Sequence, residues 1–428
     1  MRSRWILWML AVAVAALALA ACADDADEVA DDEPDDEEAP AEEPDDDDAE
    51  DDVDDDAAEA TDDDAILIGG AIDRSADMAP FDDPAWVAAE LMAEQINAAG
   101  GVDGRQIELV AIDTQLDPER TQSAALDLID EGADVMFVTC DYDWSVPAAQ
   151  EAISEGLLTI APCLGDHIFG PPGFEGDGGR LAFTFGNASF AEGAALAEFA
   201  MDEGWETAVT VTDEAILYFQ NVCRAFTERY EELGGEIVLE ESFTQGDGTV
   251  EQVVGSVAGE DADTVALCSF PPDLPSYLAQ LRATGVDAPL LAPWSGDGNF
   301  WIEAAPDLSD YYYVTFVSVF GDDPEDEVNE LIAAFEERTG QPPATGGFVT
   351  GATAVQAIAE AVERAGTTDG EALADEFLAF DGFESVSGPI TFSEGVHILT
   401  DRPFRLMEVQ DGEFSVRELR AADEPPMP

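Results

Sequence analysis

The sequence contains no lysine: all 15 of its basic residues are arginines, set against 97 aspartates and glutamates. A chain with a formal charge of −82 offers no clustered cations to grip phosphate, which excludes nucleic acid as a partner. The same shortage predicts repulsion from anionic lipid. Without lysine there is no Walker-type phosphate loop, and no G-x-S-x-G nucleophile elbow occurs. The two histidines, His167 and His397, lie far apart and outside any HExxH pattern. Phosphoryl transfer, serine hydrolysis and zinc chemistry therefore lack their carriers, and neither a cofactor nor a metal is expected. The apolar run at the N-terminus, Trp5–Leu19, is short against the roughly 20 residues of a membrane-spanning helix.

What is present begins with that run. Arg2 and Arg4 precede it, and Leu19-Ala20-Ala21-Cys22 closes it with small residues before a cysteine. This is the layout of a secretory signal, and it resembles a bacterial lipobox. Residues 1–21 are read as a lipoprotein signal peptide and Cys22 as the lipidated residue, anchoring the chain to the outer face of the cytoplasmic membrane. A plain N-terminal anchor helix is the alternative; either leaves the body of the protein outside the cytoplasm. Residues 23–64 hold 27 acidic residues with no basic or aromatic residue. Such a block self-repels and buries nothing, so 22–64 reads as the lipidated cysteine plus an extended, disordered tether, with cation capture or wall spacing as the alternative.

Beyond the tether, 70 acids against 13 arginines leave a formal charge of about −57. Screening over a Debye length of about 3 Å at molar salt would tame that repulsion, so the acidity is read as adaptation to a saline habitat. Cys140, Cys163, Cys223 and Cys268 remain after Cys22. An even number in an oxidising compartment predicts two disulfides, with three pairings open and four separate thiols as the alternative.

From residue 65 apolar strands alternate with amphipathic helices. Strands are expected at 65–71, 107–112, 135–138 and 157–160, and helices opening at Asp83-Pro84, at Asp117-Pro118 and at Val146. After the Gly- and Pro-rich stretch 170–179 a second series follows. Its helices are expected at 192–202, 219–233, 249–257 and 275–284, and its strands at 208–212, 236–240, 264–267 and 290–292. An aromatic run at 311–320 leads to helices at 325–338, 348–365 and 371–379 and strands at 390–392 and 404–409. Repeated βα units with glycine stops mean parallel sheets wrapped by helices.

The order of landmarks is similar to the type I periplasmic-binding family, specifically the leucine/isoleucine/valine-binding branch of ABC importer receptors. They are Ala89-Glu90 through Ile96-Asn97-Ala98-Ala99-Gly100-Gly101-Val102-Asp103-Gly104-Arg105, Asp113 with Asp117-Pro118, and Pro147-Ala148. The run Gly156–Pro162, the segment Gly351–Gly366 and Ser387-Gly388-Pro389-Ile390-Thr391-Phe392 complete the set. The resemblance implies an α/β fold of two doubly wound parallel-sheet lobes joined by three hinge crossovers, near 185–187, 317–321 and 397–402. Lobe 1 would comprise 65–186 and 319–398, lobe 2 would comprise 187–318 and 399–422, and 423–428 would form a tail. Such a fold favours the pairings Cys140–Cys163 and Cys223–Cys268, each bordering the strand ends of one lobe.

The resemblance also implies a function: a monomeric, extracytoplasmic solute-binding protein that hands a small molecule to a permease and its ATPase. Expected solutes are branched-chain amino acids, amides or urea-type compounds. A sensing receptor subunit of the same fold and, more remotely, a secreted enzyme are the alternatives; neighbouring permease or kinase genes would separate importer from sensor. Ligand contacts are expected from two loops of the first lobe, Asp141-Tyr142-Asp143-Trp144-Ser145 and Leu164-Gly165-Asp166. Amino-acid-binding members offer hydroxyl and backbone donors to the ligand carboxylate there, whereas this chain places three aspartates. Ser145 also reads as the N-cap of the following helix. The aspartates point either to a ligand with a cationic or amide group, caged by Tyr142 and Trp144, or to a solvated acidic rim. From the second lobe come Tyr218, Phe270 and either Trp294 or Asp297, near where relatives place the acid that holds the ligand ammonium. Trp86, Trp205 and Trp301 are assigned to packing or surface.

Overall fold

A computed structural model describes residues 65–423, apart from 175–177 and 300, together with 425 and 426. The signal peptide, Cys22 and the acidic tether lie outside the described residues. The first sheet collects β1 (Ile66–Ile72), β2 (Ile107–Asp113), β3 (Val135–Val138), β4 (Leu158–Ala161) and β5 (Ala182–Thr184), in the order β2-β1-β3-β4-β5. All its pairs are parallel. Strands β3 and β4 are buried throughout, as continuous apolar runs in a parallel sheet require. Helices α1 (Ala79–Ala98), α2 (Pro118–Asp130) and α3 (Tyr142–Ser154) connect them. The winding reverses between β1 and β3, the switch point where such sheets open a crevice at their carboxyl ends.

The second series runs α4 (Ser189–Asp202), β6 (Thr207–Asp213), α5 (Leu217–Glu232), β7 (Glu236–Phe243), α6 (Val250–Val257), β8 (Thr264–Cys268), α7 (Asp273–Thr284), β9 (Leu290–Ala292) and β10 (Tyr311–Thr315). The chain then contributes α8 (Asp326–Thr339), α9 (Val349–Ala365), α10 (Gly370–Leu378) and the hairpin β11 (Asp381–Ser385) with β12 (Gly388–Thr391). It ends with β13 (Phe404–Gln410) and β14 (Glu413–Arg420) on the second sheet, ordered β14-β13-β10-β9-β8-β6-β7. That sheet is parallel from β7 to β10 and antiparallel through β13 and β14.

Helices α8 and α9 pack on α1 of the first layer. At Gly351 of α9 an added Cβ would sit 1.8 Å from the Ala85 carbonyl oxygen. A glycine inside a helix costs about 1 kcal/mol in propensity, which this close approach of two backbones offsets.

Between the sheets the chain passes three times: between β5 and α4, between β10 and α8, and between β12 and β13. Arg402 gathers these passages. Its buried guanidinium donates to the Asn187 side-chain oxygen (2.8 Å), the Ser387 hydroxyl (2.7 Å) and the Phe185 carbonyl (2.9 Å), and lies 5.1 Å from the Phe316 ring centroid. Burial draws its pKa down to about 9.

Three local readings are corrected. Helix α1 begins at Ala79 rather than Asp83, because Pro80 falls in the first turn, where an N–H has no partner in any case. Helix α3 begins at Tyr142, so its N-cap is Asp141 and not Ser145. The aromatic run at 311–320 is strand only to Thr315 and then enters the second passage.

Candidate functional site

The carboxyl ends of both sheets face one cavity. Met78 and Phe81 follow β1, Cys140 and Asp141 follow β3, and Leu164, Gly165 and Asp166 follow β4. Opposite stand Ile216, Tyr218 and Phe219 after β6, Phe270 after β8, and Trp294 and Ser295 after β9. They leave a narrow cavity of about 30 Å³ between them, so the two walls stand nearly closed on each other in this structure.

Two disulfides brace the walls. Cys140–Cys163 ties the loops after β3 and β4, and the Cys163 N–H donates to Cys140 Sγ (3.1 Å). Cys223–Cys268 ties α5 to the end of β8, two residues before Phe270. Asp82 sits behind the first bridge and accepts the Cys140 and Asp73 N–H groups (2.8 and 2.9 Å). Burial pushes its pKa up to about 8. It lies within metal-ligand reach of both sulfurs, but a disulfide offers no thiolate.

Contacts across the cavity bring the walls together. Asn221 donates to Asp166 Oδ1 (2.6 Å). The Phe81 and Trp294 rings meet edge to face with centroids 5.2 Å apart. At Gly165 an added Cβ would fall 2.7 Å from the Tyr218 ring, so glycine is what lets that ring close over the loop.

Charge in the cavity wall is all of one sign. Asp141 caps α3 by accepting the Asp143 and Trp144 N–H groups (3.0 and 3.4 Å). Burial, helped by the charges of Asp143 and Asp166, pushes its pKa up to about 8. Burial raises Asp166 to about 7, against the Asn221 hydrogen bond. Behind the opposite wall Glu192 of α4 accepts the Tyr218 hydroxyl (2.7 Å) and the Trp294 N–H (2.9 Å) through Oε2. Its Oε1 is buried without a partner among the described residues. Burial pushes Glu192 to about 8.

Seven of the twelve sequence-derived ligand residues meet at this cavity: Asp141, Leu164, Gly165, Asp166, Tyr218, Phe270 and Trp294. The other five do not line it. Because α3 starts four residues early, Tyr142 turns its ring toward Phe174 and donates its hydroxyl to the Gly173 carbonyl (3.0 Å). Asp143 and Trp144 are exposed, and buried Ser145 donates to the Tyr142 carbonyl (3.2 Å). The expected Tyr142–Trp144 cage is therefore not formed; the aromatic wall comes from Phe81, Tyr218, Phe219, Phe270 and Trp294. Between the two open candidates, Trp294 faces the cavity. Asp297 instead accepts the Thr315 hydroxyl (2.6 Å) and the Gly346 N–H (2.5 Å), fastening the loop after β9.

Sequence reasoning did not reach Met78, Phe81, Ile216, Phe219, Ser295 or Glu192. For Glu192 a signal existed: with Glu198 it interrupts the otherwise uncharged, buried stretch Ser189 to Ala200 of α4. Glu198 is answered by Arg229 (2.8 Å).

Comparison with known proteins places this geometry. The family model described as periplasmic binding protein matches residues 65–413. A leucine-, isoleucine-, valine-, threonine-, and alanine-binding protein of Pseudomonas aeruginosa is 27% identical over 337 residues, covering 78% of this chain and 87% of the relative. The Leu/Ile/Val-binding protein of Escherichia coli is 21% identical over 335 residues, with 78% and 87% covered. Among solved structures, the branched-chain amino acid transporter substrate binding protein LivJ from Streptococcus pneumoniae, in complex with isoleucine, superposes with a TM-score of 0.73 at 21% identity, covering 83% of this chain and 99% of that one. A solute binding protein of an ABC transporter from R. palustris, in complex with benzoate, gives 0.70 at 22%, covering 84% and 98%. With its model matched across nearly the whole folded region and its strand-end loops meeting at one buried cavity, the chain belongs to the periplasmic binding protein family.

Proposed function

We propose that this chain is the extracytoplasmic solute-binding protein of an ABC importer, capturing a small nitrogenous solute of the amino-acid, amide or urea type without altering it. The observation that carries the reading is the cavity itself: strand-end loops of two separate sheets face each other across it, while the chain joins those sheets only through three narrow passages. Such an arrangement closes around a solute by hinge motion, excludes water and presents a new outer shape to a permease. The named relatives are binding proteins, which supports binding over turnover. A permease and its ATPase are the partners, the protein acts as a monomer, and Cys22 carries the lipid that holds it at the outer face of the cytoplasmic membrane.

Thermal unfolding in high salt against amino acids, amides, urea and polyamines tests the reading. A ligand at 100 times its dissociation constant adds about 2.7 kcal/mol of stability. Absence of a shift with every nitrogenous solute, or turnover of any of them, refutes it.

A further inference from the structure

Resting on the solute-binding reading, we propose that the cleft selects an organic cation with a small apolar body and no carboxylate: a branched or aromatic primary amine, or an amino-acid amide, in preference to the amino acid itself. The charged groups lining the cavity are Asp141 and Asp166, and no arginine or histidine joins them. Each aspartate uses one oxygen, Oδ1, on its neighbours: Asp141 on the N–H groups of α3 and Asp166 on Asn221. The Oδ2 atoms accept no hydrogen bond from the described residues, although the two side chains are only 4% and 1% exposed. Glu192, behind the Tyr218 hydroxyl, likewise keeps one oxygen free of partners among the described residues.

Two buried acids elsewhere in the fold are answered by arginine, others by N–H and hydroxyl donors, as at Asp82 and Asp297. Asp323 takes two hydrogen bonds from Arg405, each 3.0 Å, and Glu198 pairs with Arg229 at 2.8 Å. Of the basic groups beside the cavity loops, Arg224 donates to the Asn221 side-chain oxygen (3.3 Å), and half-buried His167 packs against Phe190 with its Nδ1 unpartnered among the described residues. The missing counter-charge is what a bound ammonium would supply, with the rings of Phe81, Phe270 and Trp294 accepting its apolar body.

A carboxylate finds the opposite. A helix N-terminus is the ordinary seat for an anion, but the N–H groups that open α3 are already taken by Asp141. An anion held about 4 Å from an ionised aspartate there binds roughly a thousandfold more weakly. A carboxylate therefore enters only where Asp141 and Asp166, pushed up by burial to about 8 and about 7, keep their protons, whereas an ammonium favours their ionised form.

The experiment is calorimetric titration of the full chain, disulfides oxidised, in high salt at pH 7.5. The probes are 3-methylbutylamine, 2-phenylethylamine, leucinamide, leucine and 4-methylpentanoate. At least one amine or the amide is expected to bind tenfold or more tightly than leucine, and 4-methylpentanoate is expected not to bind. Asp166→Asn retains an oxygen for Asn221 and should weaken the preferred amine at least tenfold while narrowing its advantage over leucine; a melting curve checks that the variant folds. Should it not fold, the probe series on the unaltered protein still decides. Leucine binding more tightly than leucinamide and both amines overturns the cation preference and leaves the solute-binding reading standing. Unchanged amine affinity in a folded Asp166→Asn also overturns it. Binding by none of the five overturns the preference, and the broader solute panel then decides the underlying reading.

Discussion

Replacing Glu192 with glutamine is expected to raise the melting temperature at pH 8.5 while changing it little at pH 5. Glu192 is fully buried on α4, and burial pushes its carboxyl up to about 8. In the unfolded chain it ionises near its ordinary value of about 4.3. Between those values the folded protein retains a proton that the unfolded chain has released, so stability falls as pH rises through the window and levels off above about 8. At about 1.4 kcal/mol per pKa unit the window sets an upper bound of about 5 kcal/mol. Dielectric relaxation of a real interior brings this to the order of 3 kcal/mol. With an unfolding entropy of about 2.1 cal/mol/K per residue, a folded region of this size gains or loses roughly 0.75 kcal/mol per degree, so the difference is about 4 °C.

The amide preserves the local contacts. Its oxygen accepts the Tyr218 hydroxyl and the Trp294 N–H, and its nitrogen occupies the place of the unpartnered Oε1. Asp82, Asp141 and Asp166 are also raised by burial, so wild type and variant both lose stability as pH rises, and the informative quantity is the difference between their curves. Circular-dichroism melts at constant salt from pH 5 to 8.5 measure it. Parallel curves across that range refute the argument that Glu192 is protonated in the folded state.

Three further outcomes follow from other features. With 70 acids and 13 arginines beyond the tether, the melting temperature should climb as KCl is raised toward molar concentration and self-repulsion is screened; equal stability with and without salt refutes the saline reading. The double variant Cys140→Ser/Cys163→Ser opens a loop spanning a sequence separation of 23 and should lose about 3 kcal/mol by denaturant titration, while weakening any cleft ligand. Gly351→Ala drives a methyl into the Ala85 carbonyl and should cost at least 1–3 kcal/mol; an unchanged melt would mean that α9 and α1 separate freely.

The alternating elements were legible because their signals are local. Asp117 before Pro118 marks the start of α2 and accepts the Arg120 N–H as a cap should, and β3 reads directly from four buried apolar residues. Strand β14 escaped because its alternation, with Phe414 and Val416 only half-buried, lies at a sheet edge and lacks a strong apolar face. The three-residue β5 is too short to carry a period. At the cavity, sequence-derived residues such as Leu164 and Phe270 come together because they follow strands directly, where doubly wound sheets open their crevice. The cage of Tyr142 and Trp144 failed for a helical reason: the helix was expected to open at Val146 behind a Ser145 cap, but the Asp141 cap begins it at Tyr142 and turns those rings away. Glu192 was hidden because it acts through tertiary contacts with Tyr218 and Trp294, 26 and 102 residues along the chain.

Neither sulfur bridge joins one sheet to the other: Cys140–Cys163 stays with the first and Cys223–Cys268 with the second. Oxidation therefore stiffens each jaw while leaving the bite between them unrestrained. An incoming molecule meets two preformed half-surfaces, so little ordering entropy is lost beyond that of closure itself. Protein made in a reducing compartment would keep its hinge and lose its grip, which makes the redox state of a preparation a hidden variable in any affinity measured on it.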